Sequence, residues 1–208
     1  MKQGLFISFE GGEGAGKSTQ IERLATWLRA KGQQVVLTRQ PGGTPYGQRI
    51  RELILTPQSG QQLSARAELF LYLADRAQHV DTVIRPALQA GQVVICDRYT
   101  DSTLAYQGYG RQLDLAELRQ LNDHATAGLL PDLTFWLDLS PEEGQARIQK
   151  RAALDRLELE HASFHERVYA GYQAMAEQEP ERWVRIPAAN DADGVQTMIL
   201  DVLQRRCF

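Results

Sequence analysis

The chain has 208 residues, 43% apolar and 24% charged, with a formal net charge of −3. This balance excludes intrinsic disorder and collagen-like structure, and the length suits one domain with room for a full core. A negative net charge argues against a broad basic surface for nucleic acid. The two cysteines, Cys96 and Cys207, lie far apart and away from metal-ligand partners. Neither a disulfide framework nor a zinc site is expected, and a reducing cytoplasm is the simplest setting. The apolar run at the start breaks at Glu10, and no stretch reaches the roughly 18 apolar residues of a membrane span, so neither a secretory signal nor a membrane partner is expected.

Five short runs rich in β-branched and aromatic residues read as strands: 5–9, 35–37, 93–96, 133–139 and 183–186. The first four are apolar enough to be buried on both faces, the mark of a parallel sheet covered by helices. Helical periodicity fills the gaps. Ile21, Leu24, Ala25 and Leu28 recur on one face and Gly32 ends that run. Ser64 is placed to cap a longer helix carrying Leu69, Phe70, Leu73, Ala74, Ala77 and Val80, which Pro86 either kinks or follows with a second helix. Leu115, Leu118 and Leu121 mark another, ended near Gly128 and Pro131. Val195, Met198, Ile199, Val202 and Leu203 form a final stripe. The alternation implies an α/β fold with right-handed crossovers and a five-stranded, mostly parallel sheet flanked by helices. Residues 146–160 are dense in charge. They read either as a solvated helix face or as a lid, over about 147–160, that brings arginines onto a phosphate.

Residues 11–18 read GGEGAGKS and fit G-x-x-x-x-G-K-[ST], after an apolar strand and at the start of a helix. Backbone N–H groups face a triphosphate only where side chains do not intrude, hence Gly11, Gly14 and Gly16. Gly12, Glu13, Ala15 and Thr19 complete the ATP-binding turn, and the helix adds its positive dipole end. Lys17 brings a mobile charge to the β- and γ-phosphates, and the Ser18 hydroxyl suits Mg²⁺. VVICD ends in Asp97, an acid placed to sit near that Mg²⁺, partly through water. The reading is a three-layer P-loop NTPase fold, one domain over 1–208 with a short lid. The GTPase pattern N-K-x-D is absent. Arg39, Arg51, Arg76 and Arg98 fall at strand ends or on helices that could line a cleft for an anionic acceptor. Residues alone leave open another nucleotide or nucleoside kinase, or an ATP-dependent switch.

FEGGEGAGKST, TRQPGGT, LADRAQH, DRYTDSTLAYQG, LPDLTFWLDL and LDRLE, in this order, resemble bacterial thymidylate kinases that carry an acidic P-loop residue and lid arginines. The resemblance implies ATP-dependent phosphorylation of dTMP to dTDP, on the way to deoxythymidine triphosphate, by a Mg²⁺-dependent homodimer packed through helices. It implies that Arg98 binds the dTMP phosphate and that Arg39 and Arg51 position the acceptor. Tyr72 stacks on thymine, Arg76 donates to its O4, and Thr103 and Gln107 complete the base contact. Tyr106 crowds the 2′ position, and Asp97 lies at the acceptor side of the metal. Glu13 lies near the acceptor's sugar and phosphate. Lys17, Arg98, Glu13 and a lid arginine would then carry catalysis; Arg151 is the first candidate, and Arg147 and Arg156, also expected at ATP, are close rivals. Two positions depart from the family pattern. Gln40 stands where Glu is usual, which leaves the role of position 40 open, and Tyr72 replaces the commoner Phe, so its hydroxyl needs a partner.

Overall fold

The computed structural model describes residues 4–56, 63–149 and 155–207. One sheet holds β1 (Leu5–Glu10), β2 (Val35–Arg39), β3 (Val93–Asp97), β4 (Leu133–Asp138) and β5 (Trp183–Pro187), in the order β2-β3-β1-β4-β5. The sequence implies a mostly parallel sheet; every pairing among the described residues is parallel. One strand departs from expectation. Val35, Val36 and Leu37 of β2 are half-buried rather than covered on both faces, because β2 is the sheet edge and has a neighbour on one side only.

The helices are α1 (Lys17–Ala30), α2 (Pro45–Leu55), α3 (Ala65–His79), α4 (Arg85–Gln89), α5 (Thr100–Thr103), α6 (Leu115–Thr126), α7 (Pro141–Ile148), α8 (Ala162–Gln178) and α9 (Ala192–Cys207). Their starts follow local chemistry. Thr44 accepts from the Gly47 N–H at 2.9 Å ahead of Pro45, Ser64 accepts from Ala67, and Ser140 forms a capping box with Glu143 ahead of Pro141. Pro86 opens α4 rather than kinking α3, and a π-helical stretch, Val80–Ile84, joins the two. A second π-helical stretch, Leu104–Gly110, follows α5.

Side chains alternate along β1 and split the core into two layers. Ile7 and Phe9 meet Leu24 and Leu28 of α1 and Ile199 and Leu203 of α9. On the other face, Phe6 packs with Val80, Ile84 and Tyr99, and Trp136 packs with Leu73, Phe164 and Tyr172. Each such side chain, fully buried, contributes roughly 1.5–3 kcal/mol. After β1 the chain runs to the β2 edge and returns to β3; it then crosses to β4 on the other side of β1. The carboxyl ends of β1 and β3 therefore diverge into the crevice where doubly wound sheets bind ligands.

Candidate active site

The turn after β1 is held in an unusual backbone conformation. Gly11, Gly14 and Gly16 have φ of 136°, 72° and 88°, which side chains resist. α7 closes the turn from outside; a Cβ on Gly144 would collide with the Glu13 carbonyl oxygen. Lys17 is buried, and its Nζ donates to the carbonyls of Gly11 at 3.1 Å and Gly12 at 2.9 Å. Burial, then the Arg98 charge, pulls the lysine's pKa down. For Glu13, burial pushes upward, but the Arg98 guanidinium and the Lys17 ammonium outweigh it and hold the carboxyl at about 2. Ser18 is exposed nearby, and Asp97 Oδ1 is buried with no hydrogen-bond partner among the described residues. No cluster of three or more His, Cys, Asp or Glu side chains that could hold a metal occurs among the described residues. A hydroxyl and a single carboxylate suit Mg²⁺, which keeps water and phosphate oxygens as its other ligands.

A cavity of about 400 Å³ joins this turn to the side chains expected to hold the acceptor. It is lined by residues 13–19 of the turn and by Arg39, Arg51, Tyr72, Arg76, Asp97, Arg98, Thr103, Tyr106, Gln107 and Arg147, all expected from the sequence. Gly11 and Gly12 do not line it; their carbonyls hold Lys17 instead. Arg98 leaves β3 with φ 69° and donates through Nη2 to Glu13 Oε1 at 2.5 Å and through Nη1 to the Gly11 carbonyl at 3.0 Å. Its guanidinium lies over the Tyr106 ring at 4.9 Å, and the Tyr106 hydroxyl donates to Glu13 Oε1 at 3.0 Å. Arg51 donates to the Pro41 carbonyl at 3.1 Å, while Arg39 is exposed at the end of β2. Tyr72 is half-buried on α3, and its hydroxyl has no hydrogen-bond partner among the described residues.

Arg76, only 1% exposed, shows what position 40 does. Its Nε donates to Gln40 Oε1 at 2.9 Å, Nη1 to Thr103 Oγ1 at 2.8 Å and Asn122 Oδ1 at 2.6 Å, and Nη2 to the Tyr99 carbonyl at 3.1 Å. An arginine only donates, so the Gln40 carbonyl faces it and the Gln40 amide must donate to His79 Nδ1, 2.9 Å away. His79 Nδ1 is thereby an acceptor, and its Nε2–H points to Thr38 Oγ1 at 2.5 Å. Burial, then the Arg76 charge, lowers the His79 pKa to about 4, which keeps the ring neutral.

Several groups at the site carry no motif. Glu10, Ser102 and Tyr172 meet behind Arg98. An acid closing an otherwise apolar strand was the available signal for Glu10; Tyr172 reads as one more core aromatic. Glu68 is fully buried on α3. It accepts from Gln107 at 2.7 Å and from Arg111 at 3.2 Å, and it pairs with Arg156. Arg156 thus does not line the cavity. Its Nε donates to the Ile54 carbonyl at 2.7 Å, which ties residues 155–160 to α2 and α3. Arg147 is exposed and bridges the Gly14 carbonyl to that of Ala188, each at 3.2 Å, bringing the loop after β5 beside the phosphate turn. Arg151 lies outside the described residues.

A family model described as thymidylate kinase matches residues 9–199. The chain is 51% identical over 198 residues to the thymidylate kinase of Exiguobacterium sp. strain AT1b, covering 95% of this chain and 93% of that one. It is 56% identical over 198 residues to that of Desulfovibrio desulfuricans, covering 92% and 91%. The crystal structure of thymidylate kinase from Ehrlichia chaffeensis superimposes with a TM-score of 0.78 at 35% identity, covering 97% of this chain and 99% of that one.

Proposed function

The chain belongs to the thymidylate kinase family, and from that premise we infer that it transfers the γ-phosphoryl group of ATP to the 5′-phosphate of dTMP, giving dTDP and ADP. The observation that carries this reading is one cavity lined at one end by the phosphate turn and at the other by Tyr72, Arg76, Thr103 and Gln107. A phosphate monoester has a second pKa of about 6, so the acceptor oxygen is already a nucleophile at neutral pH and needs no general base. It bonds to the γ-phosphorus as the bond to the β–γ bridging oxygen breaks, and the electron pair leaves with ADP.

This chain's residues then have to position and neutralise. Lys17 and the N–H groups of the turn take the β- and γ-phosphates, with Arg147 beside the loop that follows β5. Arg98 takes the acceptor phosphate, with Arg51 and Arg39 nearby. Tyr72 stacks on the base, which Arg76 and Thr103 address by hydrogen bonds, and Gln107 lines the same pocket. Tyr106 and Glu13 face the sugar. Ser18 and Asp97 Oδ1, which has no partner among the described residues, would hold Mg²⁺, which would supply neutralisation of the phosphates' charge. Residues 147–160 act as a lid, within one catalytic unit spanning 1–208, and Arg151 is the lid arginine of this reading. Exposed Leu53 on α2 (56%) and Phe70 on α3 (58%) support a homodimer formed across these helices. A cytoplasmic setting follows from the two nucleotide substrates.

The test is ADP release, coupled to a dehydrogenase, across a panel of monophosphates. dTMP should exceed dUMP and dCMP, and Lys17→Ala should abolish turnover while the circular dichroism spectrum persists. Release with dTMP no greater than without acceptor would end the assignment.

A further inference from the structure

Three polar groups with no role in the reaction just described converge on Arg98; Ser102 also reaches the cavity wall. Glu10 ends β1, and alternation places it with Phe6 and Ser8 on the face turned away from α1. It is fully buried, as is Tyr172 of α8; Ser102 comes from α5. The Tyr172 hydroxyl is 3.1 Å from Arg98 Nη1 and 3.0 Å from Glu10 Oε2. Ser102 Oγ is 3.3 Å from the same nitrogen and 2.5 Å from the same carboxylate oxygen. The two hydroxyls are 3.0 Å apart.

Chemistry fixes the direction of these bonds. A guanidinium only donates, so each hydroxyl accepts from Nη1 and has one proton left, with Glu10 Oε2 in reach. The other carboxylate oxygen, Oε1, accepts the Tyr99 N–H at 2.7 Å, so Glu10 is anchored to the backbone immediately after Arg98. That backbone is where the chain leaves β3 in a left-handed conformation, which a side chain resists. The Gly11 carbonyl is a third acceptor within reach of the two Nη1 protons, so at least one of them is shared between acceptors, and Nη2 has Glu13. Nε has no hydrogen-bond partner among the described residues and Nη2 has only Glu13, and a guanidinium edge of Nε and Nη2 is the geometry that grips a phosphate with two parallel bonds.

We propose that Glu10, Ser102 and Tyr172 are positioning residues for the acceptor phosphate: the carboxylate acts on Arg98 through two hydroxyls, fixing the Nη1 arm so that the Nε–Nη2 edge faces the cavity. A direct pair with Glu10 would compete with the phosphate; the hydroxyl bridge orients the guanidinium without occupying that edge. The proposal rests on Arg98 being the acceptor-phosphate ligand.

Steady-state kinetics at pH 8 test it with Tyr172→Phe, Ser102→Ala, the double variant and Arg98→Lys. Tyr172→Phe and Ser102→Ala should each raise the KM for dTMP about three- to tenfold, the net value of one ordinary hydrogen bond, and leave the KM for ATP within about twofold. The double variant should fall short of the product, since both hydroxyls act through one carboxylate. Ile199→Val, a core change in α9 on the opposite face of the sheet, should leave both KM values unchanged, which separates positioning from loss of stability. If Tyr172→Phe does not fold, Ser102→Ala carries the test alone. The relay is overturned if both hydroxyl variants keep the wild-type KM for dTMP while Arg98→Lys raises it. If Arg98→Lys also leaves it unchanged, the Arg98 assignment falls and the relay with it.

Discussion

His79 offers a direct test of the network around Arg76. Its ring is fully buried, accepts from Gln40 at Nδ1 and donates to Thr38 at Nε2. A proton on Nδ1 would face the Gln40 amide with no acceptor. The unfolded chain binds that proton at the ordinary value of 6.5, the folded chain only near 4. Stability tied to this ring is therefore complete above 6.5 and is lost as pH falls through 6.5 toward 4. The whole displacement is worth roughly 3 kcal/mol, and about 2 kcal/mol of it is already gone at pH 5. Glu10 has the opposite slope. Burial, then Asp101, raises its carboxyl to about 7, so its contribution is complete below 4.5 and lost as pH rises through 7. His79→Asn removes the titrating ring and keeps an oxygen that can accept from Gln40. Urea unfolding of both proteins at pH 8 and pH 5 gives a difference in which Glu10 cancels. The variant should be less stable by about 1–3 kcal/mol at pH 8, from the lost Thr38 partner and the smaller side chain. That deficit should shrink by about 2 kcal/mol at pH 5. A deficit equal at the two pH values would refute both the buried neutral ring and the bond directions deduced from Arg76.

Two further outcomes follow from single side chains. Glu68→Gln removes a buried charge that faces Arg111 and Arg156. It should cost about 3 kcal/mol, seen in calorimetry as a fall in Tm of roughly 10 °C, and should speed amide exchange over 155–160. Ala127 ends α6 with φ 46°, a conformation that glycine adopts without penalty. Ala127→Gly should stabilise by about 0.5–1 kcal/mol and raise Tm by a few degrees; no change would mean that the cap carries no strain.

What the sequence made legible was local. The phosphate turn is contiguous, and its residue types follow from backbone approach to an anion, so the turn, strand and helix could all be read from 5 to 30. The helix stripes were clear for the same reason, as in α9, where Val195, Ile199 and Leu203 are buried. On the expected acceptor side the residues alone offered arginines at strand ends and on helices; which acceptor they suit, and the part of Tyr72 and Gln107, came only with the resemblance, because these side chains come from different elements. Phe70 sits in the periodic stripe of α3 yet is 58% exposed, since periodicity does not show which faces find partners. Glu10 and Tyr172 are 162 residues apart and meet only because α8 packs on the sheet face that Glu10 shares. Arg156 was read with the lid arginines; its partner, Glu68, lies 88 residues earlier. π-helical turns leave no periodic signature over five or seven residues.

Glu68 has a consequence beyond its own energy. One carboxylate is shared by Gln107 in the cavity wall and by Arg156 in the segment that follows α7. If dTMP and the donor nucleotide are coupled through this anchor, each changes the other's affinity by the same factor. The strength of such a coupling through a shared anchor, rather than by contact, would be read as the departure from independence in the two binding constants.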